Sequence, residues 1–78
     1  MAERIEVEAY SGYKAEEKPR AFVFRGQFHR VCDIERVWHQ EDLQGKRKVF
    51  FKVRAEDGRV YEISHYEVTG EWFLERIL

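Results

Sequence analysis

The sequence is short of most groups that would staple or arm a small protein. Cys32 is its one cysteine, so no internal disulfide can form, and a reducing cytoplasm is the natural compartment. No apolar run approaches the ~20 residues needed to span a bilayer. The opening MAERIEVEAY alternates charges and lacks an apolar stretch, which reads against a secretory signal and leaves a soluble, cytoplasmic chain with no membrane partner as the expectation. Net charge is only −1, which argues neither for a nucleic-acid polyanion nor for a membrane surface as partner. Asn is absent and Thr69 is the only threonine, while charged residues make up 37% of the chain. That bias fits a heat-adapted host or a GC-rich genome.

Groups that carry chemistry are equally few. His29, Cys32, His39 and His65 are all the imidazole and thiol ligands available. His29-x-x-Cys32 has a spacing seen in zinc sites, but no second ligand pair completes it. Ser11 and Ser64 are the only serines, and neither sits in a nucleophile motif. The glycines occur singly at turns, so no loop is built to cradle a phosphate. The acidic residues are spread along strands and loops, with no pair forced together. The expectation is a protein that is not an enzyme and holds no cofactor and no metal.

What the sequence does hold is strand pattern. The 78 residues, 15% of them aromatic, make one domain over residues 1–78; a chain of this length buries roughly 60% of its unfolded surface. The best-specified stretch is KVFFKVRAEDGRVYEISH, Lys48 to His65, where two β-branched and aromatic runs flank Glu56-Asp57-Gly58. Parity selects the loop. A two-residue loop would put Phe51 and Val53 on the opposite face from Tyr61 and Ile63. A three-residue loop with Gly58 left-handed pairs Phe51 with Ile63, Val53 with Tyr61 and Lys52 with Glu62.

Before this hairpin, Arg4 to Tyr10 alternates as a half-buried strand with a charged outer face. Tyr13 to Arg20, which holds the only proline, reads as an exposed loop. Ala21 to Phe24 starts a second strand, apolar on both faces and so expected to be central or covered on both sides. Arg25-Gly26 turns it so that Val23 pairs with Phe28 and Phe22 with His29. From Phe28 to His39 the apolar residues recur every three to four positions, a helical period. The direct entry from a tight turn, the missing N-cap and the valines favour a long strand instead, with a bulge near Cys32-Asp33 that lets Val31 and Ile34 both point inward. Gln40 to Arg47 is a charged connection. After the central hairpin, a four-residue loop at Glu67 to Gly70 pairs His65 with Trp72 and Ile63 with Leu74, and the last strand runs from Glu71 to about Ile77.

The expected fold is all-β, about six strands in an antiparallel meander forming a small, curled or partly closed barrel-like sheet. The alternative is α+β with one helix near residues 28–39. The expected core is Ile5, Val7, Phe22 or Val23, Val31, Ile34, Phe51, Val53, Tyr61, Ile63, Trp72 and Leu74. The first and last strands would leave unpaired backbone. Either the sheet closes, with Ile5 or Val7 beside Trp72 or Leu74, or a second copy covers Phe73 and Ile77.

Aromatic and basic residues interleave along this sheet. Arg25, Lys48, Phe50, Lys52 and Arg54 form the candidate surface, with Phe50 expected to face out beside Lys52 and Arg54. Phe73 and Ile77 form a candidate dimer or edge contact. Two readings follow. One is an interaction module acting through an exposed edge or aromatic patch towards a protein partner or a second copy. The other is a small barrel that binds single-stranded nucleic acid by stacking and charge.

The pattern made by IEVEAY, PRAFVFRG, then Val31, Asp33, Ile34 and Trp38, and FKVRAEDGRVYEISH followed by EWFL resembles a group of short, uncharacterised bacterial proteins of unknown function. The resemblance covers most of the chain, and each motif in it is structural, so it brings no functional residues. Some of that group accompany proteins of DNA repair synthesis, and the resemblance therefore implies a nucleic-acid context.

Overall fold

A computed structural model describes residues 2–11 and 17–78. It contains six strands: β1 (Glu3–Ser11), β2 (Glu17–Phe24), β3 (Gln27–Glu41), β4 (Arg47–Ala55), β5 (Val60–Tyr66) and β6 (Trp72–Ile77). Each pairs antiparallel with the next, and β6 returns to β1 to close a barrel. The described residues contain no helix, hence none long and apolar enough to cross a membrane. The helical period over residues 28–39 is therefore strand. Gly12 to Glu16 lie outside the described residues, but the loop expected up to Arg20 is shorter, because Glu17 to Arg20 already belong to β2.

Local turn chemistry fixes the hairpins. Arg25 and Gly26 both have positive φ, 51° and 77°, the type I′ geometry whose twist matches the strands it joins. It pairs Val23 with Phe28 and Phe22 with His29. Gly58, at φ 83°, donates its N–H to the Ala55 carbonyl at 2.9 Å. This three-residue loop sets Phe51 opposite Ile63, Lys52 opposite Glu62 and Val53 opposite Tyr61. The loop before β6 sets His65 opposite Trp72 and Ile63 opposite Leu74. Between β3 and β4, the Asp42 carboxylate accepts the N–H groups of Gln44 and Lys46, both at 2.9 Å.

The inward faces build one core of Ile5, Phe22, Val49, Phe51, Val53, Ala55, Tyr61, Ile63, Trp72 and Leu74, with Val7, Ala9, Phe24, Val31 and Ile34 packed against it. His65 is buried and stacks on Trp72 at 4.2 Å. β3 reaches the core through two register shifts, Val31/Asp33 and Ile34/Arg36. Each inserts an extra residue, and the first brings Val31 and Ile34 to the same side. One expectation fails on β2. Phe22 is buried, but Val23 is 38% exposed, because it points to the outer face, where its cross-strand partners Glu6 and Phe28 leave it open.

The two seams next to β1 and β3 differ. β1 closes on β6 through Glu3, Arg4 and Ile5 opposite Leu74, Phe73 and Trp72. β2 meets β3 only from Ala21 to Phe24 against Gln27 to Arg30. Beyond Arg30, β3 keeps β4 on one side and has no strand on the other among the described residues. Pro19, Arg20, Phe28, Val31 and Ile34 line the groove where the strands part.

Candidate functional site

The barrel's outer face across β3 to β6 is ordered in cross-strand rows, because residues directly opposite in antiparallel strands share a face. One row is charged: Arg36, Lys52, Glu62, Arg76. The next is mainly aromatic: Trp38, Phe50, Ser64, Phe73, and then Arg4 on β1. A third holds Gln40, Lys48 and Tyr66.

Trp38 and Phe50 lie face to face, ring centres 5.3 Å apart and 8° from parallel. The Arg36 guanidinium sits 5.0 Å from the Trp38 ring. Lys48 Nζ lies 5.3, 5.0 and 5.8 Å from the ring centres of Phe50, Tyr66 and Phe73, and Phe73 meets Tyr66 edge-on at 5.9 Å. Such contacts each contribute on the order of 0.5–1 kcal/mol at a partly exposed site. The same ammonium is 2.9 Å from Glu75 Oε2, which also accepts the Ser64 hydroxyl at 2.6 Å. Burial pushes the Glu75 carboxyl up, but the hydrogen bonds from Ser64 and Lys48 outweigh it and leave its pKa lowered. Ser64 is small, so these long side chains fold over it and it is fully buried although it points away from the core.

The sequence-predicted residues divide on this surface. Lys48 and Phe50 come together at its centre. Phe50 is 7% exposed, which corrects the expectation of an outward, accessible ring: it does lie on the outer face, but Trp38 and Lys48 cover it. Lys52 is a neighbour of the patch, between Arg36 and Glu62. Arg54 donates from Nε and Nη2 to Glu35 Oε2 at 2.9 and 2.7 Å. Arg25 stands on the β2–β3 turn, 3.7 Å from Glu3 and stacked on its neighbour Phe24. Phe73 belongs to the aromatic row, but Ile77 does not. A register shift near Glu62 sets Ile77 opposite Tyr61, on the core side, where it remains 43% exposed. The two therefore do not form one edge patch. Trp38, Arg36, Tyr66 and Glu75 complete the surface without having been singled out from sequence. The signal that would have found Trp38 is its register opposite Phe50, which is set from the β3–β4 loop, where Arg36 to Glu41 pair with Lys52 to Arg47 without a shift.

A second polar cluster lies near the β4–β5 loop. Asp57 accepts the Arg59 N–H at 2.9 Å and the Tyr61 hydroxyl at 2.7 Å. The backbone bond first, then the phenol, lowers its pKa. Burial, then the bond to Asp57, pushes the Tyr61 phenol up to about 12. His29 stacks on Phe22 at 5.1 Å with Nδ1 3.6 Å from Asp57, while Cys32 is exposed at the bulge. No group of three metal-ligating side chains occurs among the described residues.

The profile of a family described as a domain of unknown function (DUF6504) matches residues 1–78. No curated protein and no solved structure matches the chain. The chain belongs to the family of that domain.

Proposed function

We propose that this member of the family is a non-enzymatic, cytoplasmic interaction module that engages a protein partner through the aromatic outer face and the adjoining edge of β3. One observation carries the reading: three of the outward cations around that face are already answered by carboxylates. Lys48 pairs with Glu75, Arg54 with Glu35 and Arg76 with Glu62, at 2.9, 2.7 and 3.2 Å. What remains is mixed charge around half-covered aromatics next to a strand with an open side, the setting in which strand addition gives affinity and side chains give selectivity. The single cysteine supports the compartment. Against enzymatic use, the serine hydroxyl of the patch, on Ser64, is buried and committed to Glu75.

Arg36 and Lys52 favour the second reading, single-stranded nucleic acid. They are directly opposite each other beside Trp38, and like charges so placed repel unless an anion lies between them. Amide NMR titrations decide between the two. Extended peptides selected from a random library should shift the β3 resonances from Arg36 to Glu41, and an oligonucleotide of about twelve bases should not at physiological salt. Saturable, salt-sensitive oligonucleotide binding that moves Arg36, Trp38 and Lys52, with no peptide doing so, overturns the proposal.

A further inference from the structure

We infer that the occupant of the β3 edge is a second copy of this chain, paired antiparallel about a two-fold axis that passes beside Trp38; this rests on the interaction reading above and names its partner. Three observations converge on it. First, Arg36 to Glu41 pair with β4 without a register shift, so this run presents a regular line of backbone donors and acceptors on its other side. The bulges lie before it and blunt the rest of the strand. Second, Val37 on this run is 47% exposed although it lies opposite the buried Phe51, an apolar side chain with no cover on the open side. Third, centred on Trp38 the run meets itself from Arg36 to Gln40 with no like charges opposite each other.

Keeping the outer faces of two copies continuous requires an even-numbered register. Centring the run on Trp38 sets Trp38 opposite Trp38 of the second copy, an aromatic pair of the favourable kind. It sets Arg36 opposite Gln40 and Val37 opposite His39, each twice by symmetry. Shifting by one step to centre on His39 would set the exposed Val37 opposite Glu41 and lose the aromatic pair. In the Trp38 register each copy adds its own ring and guanidinium to the aromatic row of the other. The row then runs unbroken from Phe73 through Phe50 and Trp38 into the second barrel. The contact is small, at the low end of specific interfaces, so the dimer exchanges with monomer and depends on concentration.

Gln40 is exposed in the β3 pattern and supplies the test, because changing it leaves the barrel core alone. Sedimentation of the full chain should show a reversible monomer–dimer equilibrium. Gln40→Glu, facing Arg36 of the other copy, should tighten it by about three- to tenfold, and Gln40→Arg should weaken it by a similar factor. Thermal melts of both variants at dilute protein check that the fold is intact. Register is read by oxidative crosslinking in a Cys32→Ser background. A mixture of Arg36→Cys and Gln40→Cys chains should form a mixed disulfide faster than either alone, and faster than Leu43→Cys chains, whose thiol sits on the fully exposed β3–β4 loop. A monomer at every accessible concentration overturns the pairing, as does an equilibrium that both Gln40 variants leave unmoved. The peptide titrations would still stand or fall on their own result.

Discussion

β3 and β5 flank the same strand, β4, yet they are buried to opposite degrees. Of the residues of β5, Tyr61, Ile63, Ser64 and His65 are buried. None of the 15 residues of β3 is, although it carries Phe28, Val31, Ile34, Val37 and Trp38. The composition of the two does not explain this; the number of neighbours does. β5 is paired along most of its length on both sides, whereas among the described residues β3 has a second neighbour only from Gln27 to Arg30. A strand with two partners is covered inside by the barrel, and outside only where long side chains of those partners fold over it, as they do over Ser64 but not over Val23. A strand with one partner keeps its apolar residues half in water whatever they are. Stability should therefore be concentrated around β5, and β3 should be left with surface to offer.

The most severe way to test that contrast is to cut into β5. Ile63 is completely buried between Phe51 and Leu74, and Ile63→Ala removes methylene contacts while leaving a cavity. The expected cost is about 2–5 kcal/mol, a large share of what so small a domain holds. Urea denaturation followed by circular dichroism measures it. A loss below the lower bound would mean that the barrel collapses around the gap and that β5 is less fixed than its burial implies.

The outward side of β5 gives the next effect. Ser64→Ala removes a hydrogen bond to a carboxylate in a covered site, with an expected loss of about 1–2 kcal/mol. It also changes the acid limb. Glu75 and Asp57 both have folded pKa values below their ordinary ones, so the stability they contribute is present above the unfolded carboxylate pKa. That stability is lost as pH falls through the folded values. With Ser64 gone, Glu75 is less depressed, so its share of the acid-dependent loss should shrink while the loss owed to Asp57 stays. Melting temperatures measured from neutral pH downward separate the two; parallel curves for parent and variant would show that the Ser64 hydroxyl does not act on Glu75.

How far this contrast was legible depends on what each strand's neighbours do. The β4–β5 register followed from one glycine and the parity of four side chains, because Phe51, Val53, Tyr61 and Ile63 must share a face and Gly58 permits only one compact loop that does so. The need to cover two edges left closure or a second copy as the outcomes, and closure is the one found, with Ile5 opposite Trp72. Val31 and Ile34 signalled the first bulge of β3 by their spacing. The second bulge, between Ile34 and Arg36, carries no such mark, and neither does the one that sends Ile77 to the opposite side from Phe73. Alternation assigns a residue to a face but says nothing about what lies over that face. Phe50 was therefore read as outward and open, when side chains from neighbouring strands cover it. The cation–aromatic site was legible in Lys48 and Phe50 and invisible in Trp38, Tyr66 and Glu75; of these three, Glu75 alone owes its position to an unmarked shift, the one near Glu62.

At high pH the inner side of β5 should give a narrower effect. The Tyr61 phenol is pushed up to about 12 by burial and by the hydrogen bond it donates to Asp57. A folded pKa above the unfolded value of about 10 means that the neutral phenol's contribution is complete below pH 10 and is lost as pH rises towards 12. Tyr61→Phe should be less stable than the parent at neutral pH and show a flatter alkaline limb. An alkaline limb unchanged by the substitution would assign that loss to other groups.

The smallest effect belongs to β3 itself. Val37 is opposite Phe51 on the inner side, and by composition Val37→Ala resembles Ile63→Ala, an aliphatic side chain cut back to a methyl. Yet Val37 is already 47% exposed, so truncation forfeits little burial and leaves no closed cavity, since water already reaches the open side of the strand. Its neighbour Phe51 keeps its main contacts, with Trp72 at 5.6 Å and with Ile63 across β4–β5. The expected cost is below about 0.5–1 kcal/mol, within the range of ordinary surface substitutions. The measurement belongs at dilute protein, where a second copy bound along β3 contributes nothing. Repeating it at high concentration then separates the barrel from its edge: the dilute difference should stay small, while the concentrated parent should gain stability over the variant as the valine becomes covered. A dilute loss as large as that of Ile63→Ala would mean that β3 is covered within a single chain, and the distinction between the two strands would fail.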